Sequence, residues 1–363
     1  MKAMPKFDRI LIIKMSAIGD VVHALPFLEV LRRNHPAAQI DWLVEEATVD
    51  LIRGHRDIDR IFVSRRNSWP RRLSRPATAA AAILDILRFL RDLRRTRYDV
   101  AIDLQGLLKS GLWLAAARAD RKIGLSGARE GALLFTNETP VPIDYNRHAI
   151  DRYLQVADVL GCRPVPWEGA VPVSTSDEEK VAAILEQEGI DRRPIVAINP
   201  MARWESKLWI PERFAALADR LALHHGCRIV FTGSRDDRPA LEVIGRRMVA
   251  PALNLAGRTT LKELSALLSR ASVLVCTDTG PMHIANTMKC PVVALFGPTA
   301  PWRTGPYGGG NRVVRAAVPC APCFKKSCDD CRCMREIGVD EVAEAVLALL
   351  SERAGSRAAS EKR

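Results

Sequence analysis

Apolar positions along the chain alternate between short continuous runs and helical spacing. Arg9-Ile10-Leu11-Ile12-Ile13-Lys14 is a β-branched run that breaks at Ser16-Ala17-Ile18-Gly19-Asp20, after which an apolar helical pattern continues through Leu31. This predicts a strand, a tight turn and a helix. Further strands are predicted at Ile40–Val44, Ile61–Val63 and Val100–Asp103, with helical stretches such as Thr78–Leu93 between them. The tract from Arg163 to Pro172, rich in proline and glycine, interrupts the periodicity and reads as a linker. A second series follows, with strands at Ile195–Asn199, Arg228–Thr232, Val273–Thr277 and Val292–Phe296. Its helices are predicted at Pro211–His224, Pro239–Met248, Leu261–Ser269 and Met282–Met288. Strands alternating with helices indicate βαβ units and parallel sheets, with ligands outside the carboxyl ends of the strands. The predicted class is therefore α/β, two doubly wound Rossmann-like domains facing a central cleft, at residues 1–172 and 173–353. The last helix is expected at about Asp340–Ser351, and residues 354–363 are expected to form a disordered tail.

Composition narrows the class. A length of 363 residues suits two domains, each with its own core. Hydrophobic residues at 48% and charged residues at 26% exclude a disordered chain, a collagen-like rod and a coiled coil. No run approaches the roughly 18 apolar residues of a membrane span, and Met1 to Lys6 leads into a charged segment without a secretory apolar region, so a cytoplasmic protein is expected. The formal charge of +12 points to a polyanionic partner. Between Arg53 and Arg97 stand thirteen arginines and four aspartates, with no lysine or glutamate. That segment is either a solvated face or a binding surface. Nine cysteines in a cytosolic chain do not suggest a disulfide framework.

No glycine fingerprint of a dinucleotide site follows the first strand and no P-loop occurs, which argues against a nicotinamide enzyme or an ATPase. The first turn instead places Gly19 and Asp20 at a helix start. Asp20 either caps backbone amides or is a carboxylate at a strand's end, able to take a proton from a substrate hydroxyl. In the second half, Cys276-Thr277-Asp278-Thr279-Gly280-Pro281-Met282-His283 lies where a strand meets a helix. Thr279 and Gly280 would offer free amides there, and Pro281 suits the first helical turn, a geometry that attracts phosphate unless the turn is simply capped. His283 alone is equally a hydrogen-bonded core residue. Asn199-Pro200 ends another strand, and Lys207 follows in a loop from which it could neutralise a departing phosphate. Gly233-Ser234-Arg235-Asp236-Asp237 occupies the equivalent place after the next strand, where an acid can hold ribose hydroxyls. Together these groups suggest transfer from a nucleotide sugar.

Read as a set, Lys14 to Pro26, Val44-Glu45-Glu46, Ile102 to Ser110, Asp278 to His283 and Phe296-Gly297-Pro298-Thr299 resemble, in order, the ADP-heptose:lipopolysaccharide heptosyltransferases of glycosyltransferase family 9. The N-terminal motifs are nearest to heptosyltransferase I, whereas the cysteine-rich tail is more similar to the second heptosyltransferase or the family's generic members. The resemblance runs from about Arg9 to Leu350. It implies a GT-B fold, with the acceptor held mainly by the first domain and the sugar nucleotide by the second. It also implies an inverting transfer of L-glycero-D-manno-heptose from ADP-heptose to the lipopolysaccharide inner core, on Kdo-lipid A or on heptosyl-Kdo-lipid A, with no cofactor required. By position, Asp20 would be the general base and Lys207 would steady the leaving diphosphate. Asp237 would hold the ribose, Thr259 would contact adenine, and Asp278, Thr279, Gly280 and His283 would surround the phosphates and heptose.

One departure concerns Asn199-Pro200-Met201-Ala202-Arg203-Trp204: some members carry paired threonines where this chain has Ala202 and Arg203, so contacts from that loop would be rearranged, with Arg203 in a position to compensate. On the acceptor side, the segment Arg65 to Arg75 together with Lys109, Arg129 and Arg152 would meet Kdo carboxylates and lipid A phosphates. The same charge would draw the chain to the anionic cytoplasmic leaflet, as a protein peripheral to the inner membrane and not inserted in it. Cys320, Cys323, Cys328, Cys331 and Cys333 read either as a structural metal site or as free, redox-labile thiols, in neither case part of the chemistry. Cys276 and Cys290 are expected in the core. Two alternatives remain: a transferase of the same architecture with another sugar nucleotide or glycan, and a basic nucleic-acid-binding protein. The second leaves Asp20, Lys207 and Asp278 without a purpose.

Overall fold

A computed structural model describes residues 6–191 and 193–360, with side chains through residue 355. The chain divides into two compact units, Met1–Pro172 and Val173–Arg363. Each is built on an all-parallel sheet, as alternating strand and helix patterns require.

In the first unit, β1 (Arg9–Ile13), β2 (Gln39–Glu45), β3 (Arg60–Ser64), β4 (Arg97–Asp103) and β5 (Arg118–Ile123) lie in the order β3-β2-β1-β4-β5. The second unit has six strands: β6 (Ile195–Asn199), β7 (Arg228–Phe231), β8 (Ala252–Asn254), β9 (Val273–Thr277), β10 (Val292–Leu295) and β11 (Arg312–Val314), ordered β11-β10-β9-β6-β7-β8. Both are doubly wound. The chain walks outward in one direction and then returns to the other side of its first strand, so the winding switches between β1 and β4 and again between β6 and β9. At such a switch the flanking loops part and leave a crevice.

Burial explains why these segments are strands. Ile10, Leu11, Ile12 and Ile13 are all 0% exposed, which an alternating side-chain pattern allows only when both faces of the sheet are covered. Each such side chain stabilises the fold by roughly 1.5–3 kcal/mol. The helical pattern predicted through Leu31 is in fact two helices, Ile18–His23 and Leu25–Asn34, separated at Ala24, with Pro26 in the first turn of the second. Proline fits there because the first helical amides need no partner.

The proline-rich tract has no regular structure and folds back onto the first unit. Buried Glu29 accepts hydrogen bonds from the amides of Glu168 and Gly169, both at 2.8 Å. In the second unit the final helix, Val339–Ser360, buries Val342, Ala343, Val346 and Leu349 in the core. It passes the expected end at Ser351; of the tail expected to be disordered, residues 361–363 lie outside the described residues.

Candidate functional site

Asp20 lies at the first switch point and Lys207, Asp278, Thr279 and Gly280 at the second, whereas Asp237 and Thr259 lie in the loops after β7 and β8, and Arg129 and Arg152 follow β5. At the carboxyl end of β1, Lys14 is 3% exposed, and its ammonium donates to Leu104 O at 3.0 Å and lies 5.1 Å from the centre of the Tyr153 ring. Burial lowers a lysine's pKa. That of Lys14 nevertheless stands above the ordinary value, because the charges of Asp20, Tyr153 and Asp103 outweigh the desolvation. A buried ammonium therefore faces the Asp20 carboxylate.

Asp20 sits in the first turn of its helix, and its Oδ2 accepts from the Ala17 amide at 3.1 Å. The capping reading is thus realised with one oxygen. The second oxygen, Oδ1, takes no part in this cap, and the cap fixes where it points. The turn itself is braced from β4: Gln105 Oε1 accepts from the amides of Met15 and Ser16 at 3.2 and 3.0 Å. Asp103 holds this brace, accepting from the Gln105 and Gly106 amides and from Ser110 Oγ at 2.8, 3.1 and 2.8 Å. Desolvation raises the Asp103 pKa against those hydrogen bonds.

Of the cations predicted to meet an acceptor, Lys109 is already engaged, donating to Ser16 Oγ at 2.7 Å and to buried Glu45 at 2.8 Å. It ties the ends of β1 and β2 to the helix Leu108–Ala116. Arg152, on the helix Ala149–Val159, lies 5.1 Å from the Tyr145 ring, and its Nε is buried without a hydrogen-bond partner among the described residues. Arg129 is exposed on a loop whose amide donates to Gly106 O at 2.8 Å.

In the second unit, Lys207 and Asp278 meet from either side of the β6/β9 switch. Lys207 Nζ donates to Asp278 Oδ2 at 2.6 Å and to Asp278 O at 3.3 Å, and it lies 4.5 Å from the Trp204 ring centre. Asp278 is 8% exposed and also accepts from Thr299 Oγ1 at 2.7 Å. The carboxylate aims the lysine beside Thr279 and the helix Gly280–Thr287, where Thr279 is an extended N-cap whose side chain makes no capping bond. Helix amides and an ammonium side by side form a place for phosphate. His283 is buried in that helix.

Asp237 begins the helix Arg238–Arg246 after β7, and its Oδ2 accepts from the Ser234 amide and hydroxyl, both at 2.7 Å. Thr259 lies in the loop after β8, just before the helix Leu261–Arg270. The two loops touch closely: Gly257 donates to Gly233 O at 3.0 Å, and a Cβ at Gly257 would lie 2.7 Å from Arg235 Cα. Arg203 is exposed and forms no hydrogen bond or ion pair among the described residues.

Lys14, Glu45, Gln105 and Thr299 stand in the motifs that carry the resemblance, but sequence reasoning assigns them no role, and it does not name Ser206. A lysine ending a fully apolar strand was the one available signal for Lys14. Ser206 is buried beside Lys207, and its hydroxyl donates to Lys325 O at 2.7 Å. The cysteine tract thus backs the Lys207 loop. Its thiols are unpaired, and among the described residues no three cysteine, histidine or acidic side chains converge as an ion would require. Cys276 and Cys290 are core residues, 0% and 2% exposed.

The signature of Glycosyltransferase family 9 (heptosyltransferase) matches residues 86–332. Lipopolysaccharide heptosyltransferase 1 of Pseudomonas aeruginosa is 30% identical over 339 residues, 88% of this chain and 87% of that protein. The lipopolysaccharide core heptosyltransferase OpsX of Haemophilus influenzae is 27% identical, over 84% of this chain and 83% of its own. Among solved structures, a glycosyltransferase family 9 protein from Veillonella parvula DSM 2008 has a TM-score of 0.82 at 23% identity, covering 96% of this chain and 98% of that one. E. coli heptosyltransferase WaaC with ADP-2-deoxy-2-fluoro heptose has a TM-score of 0.70 at 25% identity, over 93% and 98%. The fold of these neighbours is GT-B, and both halves of the present chain share it. With the family signature covering the Lys207–Asp278 cluster of the second unit and relatives matching along most of the chain's length, the chain belongs to glycosyltransferase family 9, the heptosyltransferases.

Proposed function

We propose that this glycosyltransferase moves L-glycero-D-manno-heptose from ADP-heptose to the inner core of a lipopolysaccharide precursor, with inversion at the anomeric carbon. The observation that carries the reading is the Lys207–Asp278 pair at 2.6 Å beside the Gly280–Thr287 helix start. In the proposed mechanism Asp20 removes the proton from the acceptor hydroxyl as the oxygen attacks the anomeric carbon. The bond to the diphosphate breaks, and the charge that develops on ADP meets the Lys207 ammonium and the Thr279 and Gly280 amides. These groups are fixed before reaction, so they stabilise the leaving group without reorganising. Asp237 holds the ribose, Thr259 adjoins the adenine, and His283 completes the heptose and phosphate surroundings. Because a lysine and helix amides supply the positive charge, the reaction needs no metal in this scheme.

The acceptor is anionic, and Arg129 and Arg152 are the cations that meet it. Arg152 is the better placed, since a buried guanidinium nitrogen without a partner gains most from a carboxylate or phosphate. Lys109 acts by holding the Ser16 turn. The likeness of the N-terminal motifs to heptosyltransferase I is what supports choosing Kdo as the acceptor sugar. ADP release from ADP-heptose, measured with deacylated Kdo-lipid A and with the same molecule already carrying one heptose, tests this, with products identified by mass. Transfer to the first alone is expected. Transfer to the second alone would reassign the step, and ADP binding without transfer to either would overturn the choice of sugar or acceptor.

A further inference from the structure

The helix Pro76–Arg95 lies within the arginine-rich segment, yet only Ala82 and Leu93 of its 20 residues are buried. Ile83, Leu84 and Leu87 are 49%, 51% and 55% exposed, and their spacing places them on one side of the helix. Leu108 and Leu112, one turn apart on the helix Leu108–Ala116, are 44% and 53% exposed. Between the two elements Leu90, Leu107, Leu112 and Trp113, with Arg66 and Lys109, line a pocket of about 770 Å³. Single exposed leucines need no explanation, but four leucines and an isoleucine exposed on neighbouring helices, two of them (Leu108 and Leu112) lining the pocket, form a patch.

Charge beside the patch says what covers it. Arg65, Arg66, Arg72, Arg91 and Arg95 are matched by Glu46, Glu45, Asp85 and Asp92. Arg71, Arg75, Arg88 and Arg94 form no ion pair among the described residues. The occupant must therefore be apolar in its interior and anionic at its surface. Nucleic acid would use the arginines and leave the leucines in water, and a second copy of the chain would bring the same positive charge. No helix among the described residues is long and apolar enough to cross a membrane, so contact with a bilayer would be interfacial.

We propose that this face seats on an anionic phospholipid bilayer, with Ile83, Leu84 and Leu87 entering the boundary between headgroups and acyl chains while the unmatched arginines meet lipid phosphates. The inference deepens the proposed function, whose acceptor is lodged in a membrane, and replaces purely electrostatic attachment by shallow insertion. Its test reads lipid binding directly, so its failure is distinguishable from failure of the transfer reaction. The full chain is sedimented with vesicles of phosphatidylcholine, and of phosphatidylcholine with phosphatidylglycerol, at low and high salt. Binding is expected only to the anionic vesicles and should weaken with salt. The combined variant Ile83→Ser, Leu84→Ser, Leu87→Ser is expected to lose binding by roughly tenfold or more. It should melt as the unaltered chain does and keep its turnover on a deacylated, water-soluble acceptor. Arg71→Glu with Arg75→Glu and Arg88→Glu should lose binding as well. Equal binding to neutral vesicles, full binding by the serine variant, or a dimer of the unaltered chain that the serine variant dissolves would overturn the proposal.

Discussion

A carboxylate can serve a backbone and a reaction at once, and Asp20 is arranged for both. Its Oδ2 is committed to the Ala17 amide, so Asp20→Asn preserves the turn's size and removes both the capacity to take a proton and the negative charge that helps to hold Lys14. Turnover should fall by roughly 10²–10⁴, the usual worth of a positioned base, while ADP affinity by calorimetry stays unchanged. Near-normal turnover would remove Asp20 from the mechanism. Lys207→Met should lower kcat by about 10²–10³ and leave Asp278 buried without its cation. Lys14 makes a different claim. Lys14→Met strips a buried ammonium from among Asp20, Asp103 and Leu104 O and should destabilise the first unit by about 3 kcal/mol in urea unfolding. Because its folded pKa lies above the unfolded 10.5, that contribution is complete at neutral pH and disappears only as pH rises through the higher value. Asp20, Lys207 and Asp278 were legible because each follows an apolar run, at the end where α/β sheets bind ligands. Gln105 and Thr299 were not, since their roles rest on partners 89 and 21 residues away.

Secondary structure was legible where burial is complete. β1, β6, β9 and β10 are buried along nearly their whole lengths and read as unbroken apolar runs. The edge strands β5, β8 and β11 went unseen, for a physical reason: an edge is half solvated, and Arg118-Ala119-Asp120-Arg121-Lys122-Ile123 carries the charges that blunt it. The break at Ala24 was also hidden, because apolar spacing continues across it. Loop contacts make the sharpest prediction at this scale. Gly257 has φ +71° and no room for a Cβ against the Arg235 backbone. Gly257→Ala should cost about 1–3 kcal/mol and displace the loop bearing Asp237. The KM for ADP-heptose should rise more than kcat falls, and unchanged kinetics with unchanged melting would show that the loop yields freely.

At the scale of the whole chain, the fold is two copies of one winding pattern, and the proposed chemistry falls at the strand where the order reverses in each. Alternation of strand and helix was enough to anticipate that plan. The pairing of Lys109 with Glu45 was not visible in a count of charges, and the same count concealed the leucines among the arginines. If lysine and amides alone carry the leaving diphosphate, dialysis against a chelator should leave turnover within about twofold, well under 1 kcal/mol; strong loss restored by a divalent ion would overturn that scheme. The strut between Ser206 and Lys325 has a further consequence, for reagents that act on sulfur. Hydrogen bonds from the Cys331 and Asp330 amides lower the pKa of Cys328, whereas burial pushes Cys290 up to about 12, so near neutral pH alkylation should begin at Cys328 and reach Cys290 last. Cys328 lies three residues from Lys325, whose carbonyl holds Ser206, so an adduct there is expected to disturb that contact. A thiol reagent would then act as an inhibitor although the proposed mechanism uses no thiol, and ADP present during the treatment should slow the loss of activity by keeping the Lys207 loop seated.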